Sequence, residues 1–430
     1  MLIGARRGLT AGALGVADQV LLSVANLAVG LALAREMEPA AFGIYVVAFA
    51  VSLMAASVPI SLITEPLVIL GSPRTPEEQR PYFAALLRLQ LAVSLVLAVL
   101  IGLGAAAAWL AWGDASLLGP ALAAVAAATV PLQFQTFLRA VLFATLRPGA
   151  VLVNDLLLSV LRIAALAGLI LAGRLTLPAV FLSAGAAGVA ATAAGLAACR
   201  GWAGSAPASL RATAREHWGY GRWLLATSGA YWCSGQAPAL LASSILSPVA
   251  AAILKACQYL VSPLNVAFNG LDGVLAPRGA RLNAARDEAA ASRFFRRIAA
   301  GFGAAVLLYA AVLLPFAERI LDGIYKGRYS GQAAVVAILL AEVFLGGIAR
   351  GHVLKMKVLS RTRLVFLSYL AGASAGLAAL IVLAPLYGVT GAAAAAPVSS
   401  GVLLVCLLMA RSAPRRERAP SVHPAAVPES

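Results

Sequence analysis

The chain alternates long apolar stretches with short polar gaps, and this pattern predicts its elements. A helix needs about 20 mostly apolar residues to cross a bilayer. Twelve stretches meet this requirement: residues 9–34, 41–70, 82–112, 116–146, 149–173, 176–199, 219–245, 249–277, 298–321, 332–354, 363–385 and 388–410. The pattern therefore predicts an all-α polytopic membrane protein with about twelve transmembrane helices.

A polar gap near the middle of the chain divides the predicted helices into six and six. Residues 31–44 (LALAREMEPAAFGI) and 240–253 (LLASSILSPVAAAI) form a weak internal repeat, which favours two parallel halves related by an axis along the membrane normal. The predicted divisions are an N-terminal six-helix lobe (1–200), a cytoplasmic linker (201–218), a C-terminal six-helix lobe (219–410) and a disordered tail (411–430).

Composition and charge place the chain in lipid. Of its 430 residues, 61% are hydrophobic and 12% charged, against about 25% charged in a soluble protein. The net charge of +16 does not indicate nucleic acid, because that partner requires basic residues on a folded, water-facing surface. With the N-terminus in the cytoplasm, 25 of the 33 Lys and Arg residues fall on the cytoplasmic side, five outside and three within spans. This bias predicts a multi-pass protein with both termini in the cytoplasm.

Ionisable residues inside the predicted spans are the candidate site residues, because such groups are costly in lipid and usually face an interior cavity. Cations at this depth suit a transported phosphate, whereas carboxylates suit a driving H⁺ or Na⁺. The predicted pyrophosphate-binding residues are Arg139, Arg162 and Lys255, and the ion-coupling or cavity candidates are Asp18, Gln19, Asp155 and Glu342. Two alternatives stay open. Asp155 and Arg162 lie two turns apart on one helix face, so they also suit an ion pair, and Arg139 is close enough to a helix end to reach the interface.

No catalytic, metal or cofactor signature accompanies these charges. The sequence has no Walker loop, and its three histidines and four cysteines are scattered without a metal-ligand spacing. A membrane glycosyltransferase or polymerase usually needs a large outer loop with catalytic polar groups, but the largest predicted outer loop, residues 319–331, is short. We therefore expect no enzyme, no metal site and no cofactor apart from a coupling ion.

Several short segments resemble the Wzx-type polysaccharide flippases of the multidrug/oligosaccharidyl-lipid/polysaccharide exporter superfamily. They are Asp18-Gln19, Asn26-Leu27, Leu33-Ala34-Arg35, Ala41-Phe42-Gly43-Ile44-Tyr45, the region of Pro66, and Tyr387-Gly388-Val389-Thr390-Gly391-Ala392. The similarity of pattern and helix number extends over most of the chain, but these motifs cover only the first helices and the last.

The resemblance implies two six-helix lobes around a central cationic cavity. It also implies alternating access, which moves undecaprenyl-pyrophosphate-linked oligosaccharide from the cytoplasmic to the periplasmic leaflet of a bacterial inner membrane. The expected partners are lipid-linked oligosaccharide, membrane lipids, and polysaccharide polymerase and export machinery. The chain lacks the two extra helices of the peptidoglycan-precursor flippases, which argues against that cargo. The alternatives are a cation-coupled multidrug-type exporter and, in a different class, a membrane glycosyltransferase or polymerase.

Overall fold

A computed structural model describes residues 2–113, 117–199, 208–235, 237–284, 288–359 and 361–410. Every regular element in these ranges is helical. Hydrocarbon offers no hydrogen-bond partner to a backbone N–H or C=O, and a helix satisfies these groups within one segment. The apolar composition of the chain thus leads to an all-α fold.

Twelve helices follow one another through the described residues, in agreement with the prediction. They are α1 (Leu2–Glu36), α2 (Pro39–Gly71), α3 (Pro76–Trp112), α4 (Leu118–Ala144), α5 (Pro148–Leu171), α6 (Leu177–Ala198), α7 (Leu210–Gly235 and Ala237–Ile245), α8 (Pro248–Ala284), α9 (Glu288–Leu313 and Ala317–Tyr325), α10 (Ala333–Val358), and α11 and α12, which share Thr362–Ala410. Gly388 separates the last two, with φ +61° and ψ −137°. A glycine adopts this positive φ without steric cost, so the break falls where the sequence predicts it.

Ten helical stretches of the described residues are long and apolar enough to cross a membrane. One of them, Arg363–Met409, contains both α11 and α12, and α7 is not among them. The chain is therefore a multi-pass membrane protein, in which α7 is the most polar of the twelve helices by composition.

The seventh helix begins at Leu210, nine residues before the predicted start. The Ser209 hydroxyl accepts a hydrogen bond from the Ala212 N–H at 3.4 Å and caps the new end. Residues 210–218, which the sequence placed in the linker, are thus helical; Thr213 and His217 are buried, and His217 bonds to Leu62 of α2 and Tyr82 of α3. Residues 201–207 of the predicted linker and the predicted tail, 411–430, lie outside the described residues.

The helices form two lobes, α1–α6 and α7–α12, which meet mainly along α1, α2, α7 and α8. Within the first lobe α4 packs on α3 and α6, and α1 packs on α5; within the second, α10 packs on α8, α9 and the α11–α12 segment. Between the lobes α2 packs on α7 and α8, and α1 packs on α8. The contact of α2 with α8 is close, since a Cβ added to Gly43 would lie 1.8 Å from the Pro248 carbonyl oxygen.

Polar contacts join the two lobes at both ends of the bundle. We call the end that carries Glu36 the outer end, following the orientation predicted from the charges. There Lys326 Nζ lies 2.7 Å from Glu36 Oε2, and the Arg328 guanidinium donates to the Met37 carbonyl oxygen. At the inner end Arg74 Nη2 lies 2.7 Å from Glu216 Oε1 on α7.

The helix α2 changes its winding near its inner end and bonds to α7 there. A π-helical turn, Ile60–Thr64, follows Pro59. The Leu62 carbonyl accepts a hydrogen bond from His217 Nδ1 at 3.0 Å, and the Ser61 and Ser228 hydroxyl oxygens lie 2.8 Å apart. Turns of this kind leave carbonyl groups available outside the regular ladder, and α7 supplies the donor.

The longest single helix of the first lobe, α3, has 37 residues and extends about 55 Å at 1.5 Å per residue. Thr75 and Glu78 form a reciprocal capping box that fixes its first turn. The length of the helix therefore well exceeds the roughly 30 Å thickness of the hydrocarbon core.

Candidate functional site

A buried charge cluster joins α1, α4 and α5 in the first lobe. Arg139 Nη2 lies 2.6 Å from Asp18 Oδ2, and Arg139 Nε lies 2.6 Å from Asp155 Oδ2. Both carboxylate side chains are 1% exposed, whereas the Arg139 side chain is 27% exposed. Asp18 Oδ1 is buried and has no hydrogen-bond partner among the described residues. Two carboxylates thus face one guanidinium, which leaves one negative charge uncompensated when both are ionised.

Amide side chains hold this cluster in place. Gln135 Nε2 donates to Asp155 Oδ1 at 2.6 Å and to Asn154 Oδ1 at 3.0 Å. Asn154 Nδ2 in turn donates to the Ala191 carbonyl oxygen on α6 at 2.7 Å. The two amide groups thus connect Asp155 to α4 and α6, and the cluster is held between four helices.

The two alternatives for Asp155 and Arg139 are corrected by this geometry. Asp155 pairs with Arg139 and not with Arg162, because α4 places a guanidinium beside it while Arg162 lies two turns further along α5. Arg139 turns inward to the two carboxylates instead of reaching the interface. Gln19 follows Asp18 on α1, but its side chain is exposed and does not join the cluster, since successive helical side chains point in different directions.

Arg162 lies near the middle of α5, in a different setting. Its Nη1 donates to Asn26 Oδ1 on α1 at 3.2 Å, and among the described residues no carboxylate oxygen lies within ion-pair distance. The side chain is partly exposed and lines a cavity of about 50 Å³ with Tyr45, Ser52 and Ser183. A guanidinium has five N–H donors, so Arg162 presents donors and a full positive charge to this cavity.

Lys255 lies two turns from the outer end of α8. Its ammonium nitrogen is 5.5 Å from the centroid of the Tyr259 ring on the same helix, a distance suited to a cation–π contact. The three predicted cations thus occupy three depths: Arg139 near the inner end, Arg162 in the middle and Lys255 near the outer end. Their convergence on one phosphate remains a prediction.

Glu342 lies in the second lobe, on α10, beside a larger cavity. Ser400 Oγ on α12 donates to Glu342 Oε1 at 3.3 Å. The cavity has a volume of about 210 Å³, and Gln258, Asn265 and Ser399 also line it. Glu342 therefore lies in a different lobe from the Asp18 cluster, and the two acidic sites are separate.

Sequence reasoning missed the uncharged polar residues of both lobes. Gln135, Asn154 and Gln258 are cheaper to bury than charges and do not stand out in a hydropathy profile. One signal was available, because Gln258, Ser262 and Asn265 recur at i, i+4 and i+7 and so share one face of α8. A polar stripe on an otherwise apolar span indicates a helix that faces a cavity.

Neither a family profile nor a curated protein sequence matches this chain. Solved structures match its fold. The lipid II flippase MurJ in an inward closed conformation superposes with a TM-score of 0.66 at 10% identity, over 96% of this chain and 88% of that one. A multidrug resistance MATE family transporter of the MOP superfamily matches in its inward-facing conformation with a TM-score of 0.73 at 12% identity, over 91% of this chain and 94% of that one.

The outward-facing conformation of a MATE family transporter of the same superfamily gives a lower TM-score, 0.58 at 12% identity, over 93% of each chain. These similarities define the fold of the chain. The chain has the same two-lobed helical fold as the flippase MurJ and as this MATE family transporter of the MOP superfamily.

Proposed function

We propose that the chain flips undecaprenyl-pyrophosphate-linked oligosaccharide from the inner to the outer leaflet of a bacterial inner membrane by alternating access. The observation that carries this proposal is Arg162, a cation near mid-depth of the first lobe without a carboxylate partner among the described residues. A lone guanidinium in a membrane is costly unless an anion or water compensates it. A diphosphate crossing the same membrane needs positive charge, and the two requirements match.

The fold supports a lipid-linked cargo. A lipid II flippase shares this fold over almost the whole length of the chain, and lipid II is by name a lipid substrate. In this proposal the headgroup passes between the two lobes while the polyprenyl chain stays in the bilayer. Polysaccharide polymerase and export machinery remain the expected partners. The topology with both termini in the cytoplasm remains a prediction.

The lobes are joined at the inner end by Arg74 and Glu216, and they are joined at the outer end as well. Lys326 and Glu36 pair across the lobes there, and Gly43 of α2 lies against Pro248 of α8. The inward-facing relative also fits the chain better than the outward-facing one, with TM-scores of 0.73 and 0.58. A headgroup from the cytoplasm therefore needs the inner contacts to open first and the outer contacts to open afterwards.

The Asp18–Arg139–Asp155 cluster suits ion coupling. Its excess of one carboxylate over guanidinium is costly in a buried position, and a proton or Na⁺ would compensate it. The unpartnered Asp18 Oδ1 provides an acceptor for either ion. We therefore assign Arg139 to the coupling cluster, and keep Arg162 and, nearer the outer end, Lys255 as the predicted contacts of the pyrophosphate.

The test is a flipping assay in proteoliposomes that contain the purified full chain and lipid-linked oligosaccharide. Arg162→Ala should abolish flipping while the protein stays folded in the membrane, because the diphosphate then loses its mid-membrane cation. Arg174→Ala, at an exposed position after α5, is the matched control and should retain flipping. Normal flipping by Arg162→Ala would remove Arg162 from the cargo site and refute the proposal.

A cation-coupled exporter of amphipathic molecules is the second candidate, because multidrug transporters share the fold. The positive charge of Arg162 distinguishes these two candidate functions. A multidrug exporter of cationic compounds should bind a cationic dye, whereas a site centred on Arg162 should bind the anionic lipid and reject the dye. Dye binding without binding of undecaprenyl pyrophosphate would favour the exporter.

A further inference from the structure

The cavity beside Glu342 combines acceptors, donors and small residues in a way that the Asp18 cluster does not. Glu342 supplies an acceptor, Gln258 and Asn265 supply both donors and acceptors, and Ser262 and Ser399 supply hydroxyl groups. The side chains of Gln258 and Asn265 have no hydrogen bond to other described residues. Both are at least partly exposed, so their polar atoms are available to a ligand.

The volume of this cavity favours a sugar over a bare cation as the ligand. Its volume of about 210 Å³ is more than ten times the roughly 10–15 Å³ that one water molecule needs. A bare cation requires oxygen ligands closed around it, at about 2.3–2.6 Å in the case of Ca²⁺. A cavity of this volume is too open for such a cage and has room for a ring bearing hydroxyl groups.

Small residues keep the cavity open on the side of α11 and α12. Ala373, Gly376 and Ala396 line it. A Cβ added to Gly376 would lie 2.7 Å from Ser399 Cβ, so a larger residue there would displace a polar lining group. The cavity wall thus has space and hydroxyl or amide groups together, as ligand pockets with a few placed polar groups do.

We infer that this cavity is a carbohydrate subsite, which binds a sugar residue of the cargo through Glu342, Gln258 and Asn265. The inference rests on the proposed function and deepens it. A pyranose carries vicinal hydroxyls that donate to a carboxylate and both donate to and accept from amides. Because α8 also packs against the first lobe, the cargo would contact both lobes, with its pyrophosphate at Arg162 and a sugar in the second lobe.

The experiment compares two probes on the purified full chain in nanodiscs. One probe is undecaprenyl pyrophosphate, and the other is the lipid-linked oligosaccharide extracted from the strain that makes it. The ratio of their dissociation constants measures what the sugar contributes. The wild-type chain should bind the glycan-bearing lipid more tightly, by about tenfold for one hydrogen bond to a charged group.

Four variants assign that ratio to the cavity. Glu342→Ala and Ala396→Leu, which fills the cavity and keeps the carboxylate, should both remove the preference for the glycan and leave binding of undecaprenyl pyrophosphate unchanged. Glu342→Gln should keep most of the preference, because an amide still bonds to sugar hydroxyls. Glu38→Gln, at an exposed position before α2, is the control and should match the wild type.

Three results would overturn the inference. In the first, the wild-type chain binds both probes equally, which removes the sugar subsite and leaves the flippase proposal intact. In the second, Glu342→Ala keeps the glycan preference. In the third, Ala396→Leu keeps the glycan preference although it fills the cavity, which shows that the sugar does not bind there. Failure of the wild-type chain to bind either probe would refute the proposed function as well.

Discussion

The setting of each charged side chain in this fold determines what its substitution should do. Arg139 lies between Asp18 and Asp155, whereas within the described part of the chain Arg162 bonds to a neutral amide oxygen. Breaking a buried ion pair leaves an uncompensated charge, which is much more costly than losing an exposed one. The same residue type is therefore expected to stabilise the fold at Arg139, whereas its binding role at Arg162 is a proposal.

Removing Arg139 should destabilise the protein, but neutralising Asp18 should not. Arg139→Ala leaves two buried carboxylates without a cation, at a cost of about 3–5 kcal/mol. Asp18→Asn leaves a balanced Arg139–Asp155 pair, so thermal unfolding should stay near that of the wild type while the dependence of flipping on the H⁺ or Na⁺ gradient weakens. Unfolding temperatures in detergent and gradient-dependent flipping measure both effects, and a gradient dependence unchanged in Asp18→Asn would exclude the cluster from coupling.

Lysine should replace Arg162 only in part. It preserves the charge but loses the planar fork that bonds two phosphate oxygens. Loss of one charge-assisted hydrogen bond should lower the flipping rate about tenfold, with Arg174→Lys as the matched control. If Arg162→Lys flips the lipid at the wild-type rate, a point charge is sufficient and the two-oxygen contact is absent.

The sequence identified these charges but not their partners. Hydropathy places Asp18, Arg139, Asp155 and Arg162 inside spans, because a charge in an apolar run is visible without a structure. The pairing depends on which helices pack together, and that is decided by contacts between residues more than a hundred positions apart, such as Asp18 and Arg139. The face shared by Asp155 and Arg162 is a local property, and for this reason it suggested a pair that does not form.

At the level of helices, contacts between elements decide where polar segments become ordered. The π-helical turn of α2 presents the Leu62 carbonyl to His217 Nδ1. The Tyr82 hydroxyl oxygen lies 2.7 Å from the other ring nitrogen, His217 Nε2. The polar start of α7 is helical because of these contacts. Its hydropathy indicates a linker, so the sequence placed the start of α7 too late, whereas the glycine break at Gly388 was predictable because it depends on one residue.

His217→Leu should weaken the junction of α2 and α7. The substitution leaves the Leu62 carbonyl and the Tyr82 hydroxyl without their partner, at a cost of about 1–3 kcal/mol for each buried group. We expect a lower unfolding temperature of the purified protein, and Tyr220→Phe, at an exposed position on the same helix, should leave it unchanged. An unaltered unfolding temperature in His217→Leu would mean that water replaces the histidine at no cost.

At the level of the whole molecule, the two lobes are joined at opposite ends by different contacts. The outer end has an exposed ion pair and a guanidinium bonded to a carbonyl, and exposed pairs contribute only about 0–1 kcal/mol. Such contacts open at little cost, as a lobe movement requires. The inner junction of α2 and α7 is more extensive and partly buried.

Locking the outer contact should stop transport reversibly. In a background without the native cysteines, Glu36→Cys and Lys326→Cys together, joined by a short reducible thiol cross-linker, should hold the outer end closed, so that flipping stops and returns after reduction. Each single substitution is a control and should flip lipid with or without the cross-linker. Flipping by the cross-linked protein would show that the outer end does not need to open there.

The helix α3 is longer than one crossing of the membrane requires. Even tilted by about 40°, a helix of about 55 Å is about 10 Å longer than the hydrocarbon core, so at least one of its ends must extend beyond the acyl chains. A spin label or fluorophore attached to that stiff projection would swing with the first lobe. A rotation of one lobe relative to the other would then change the orientation of the label. Spectroscopy would detect this change without any substitution in the transport path.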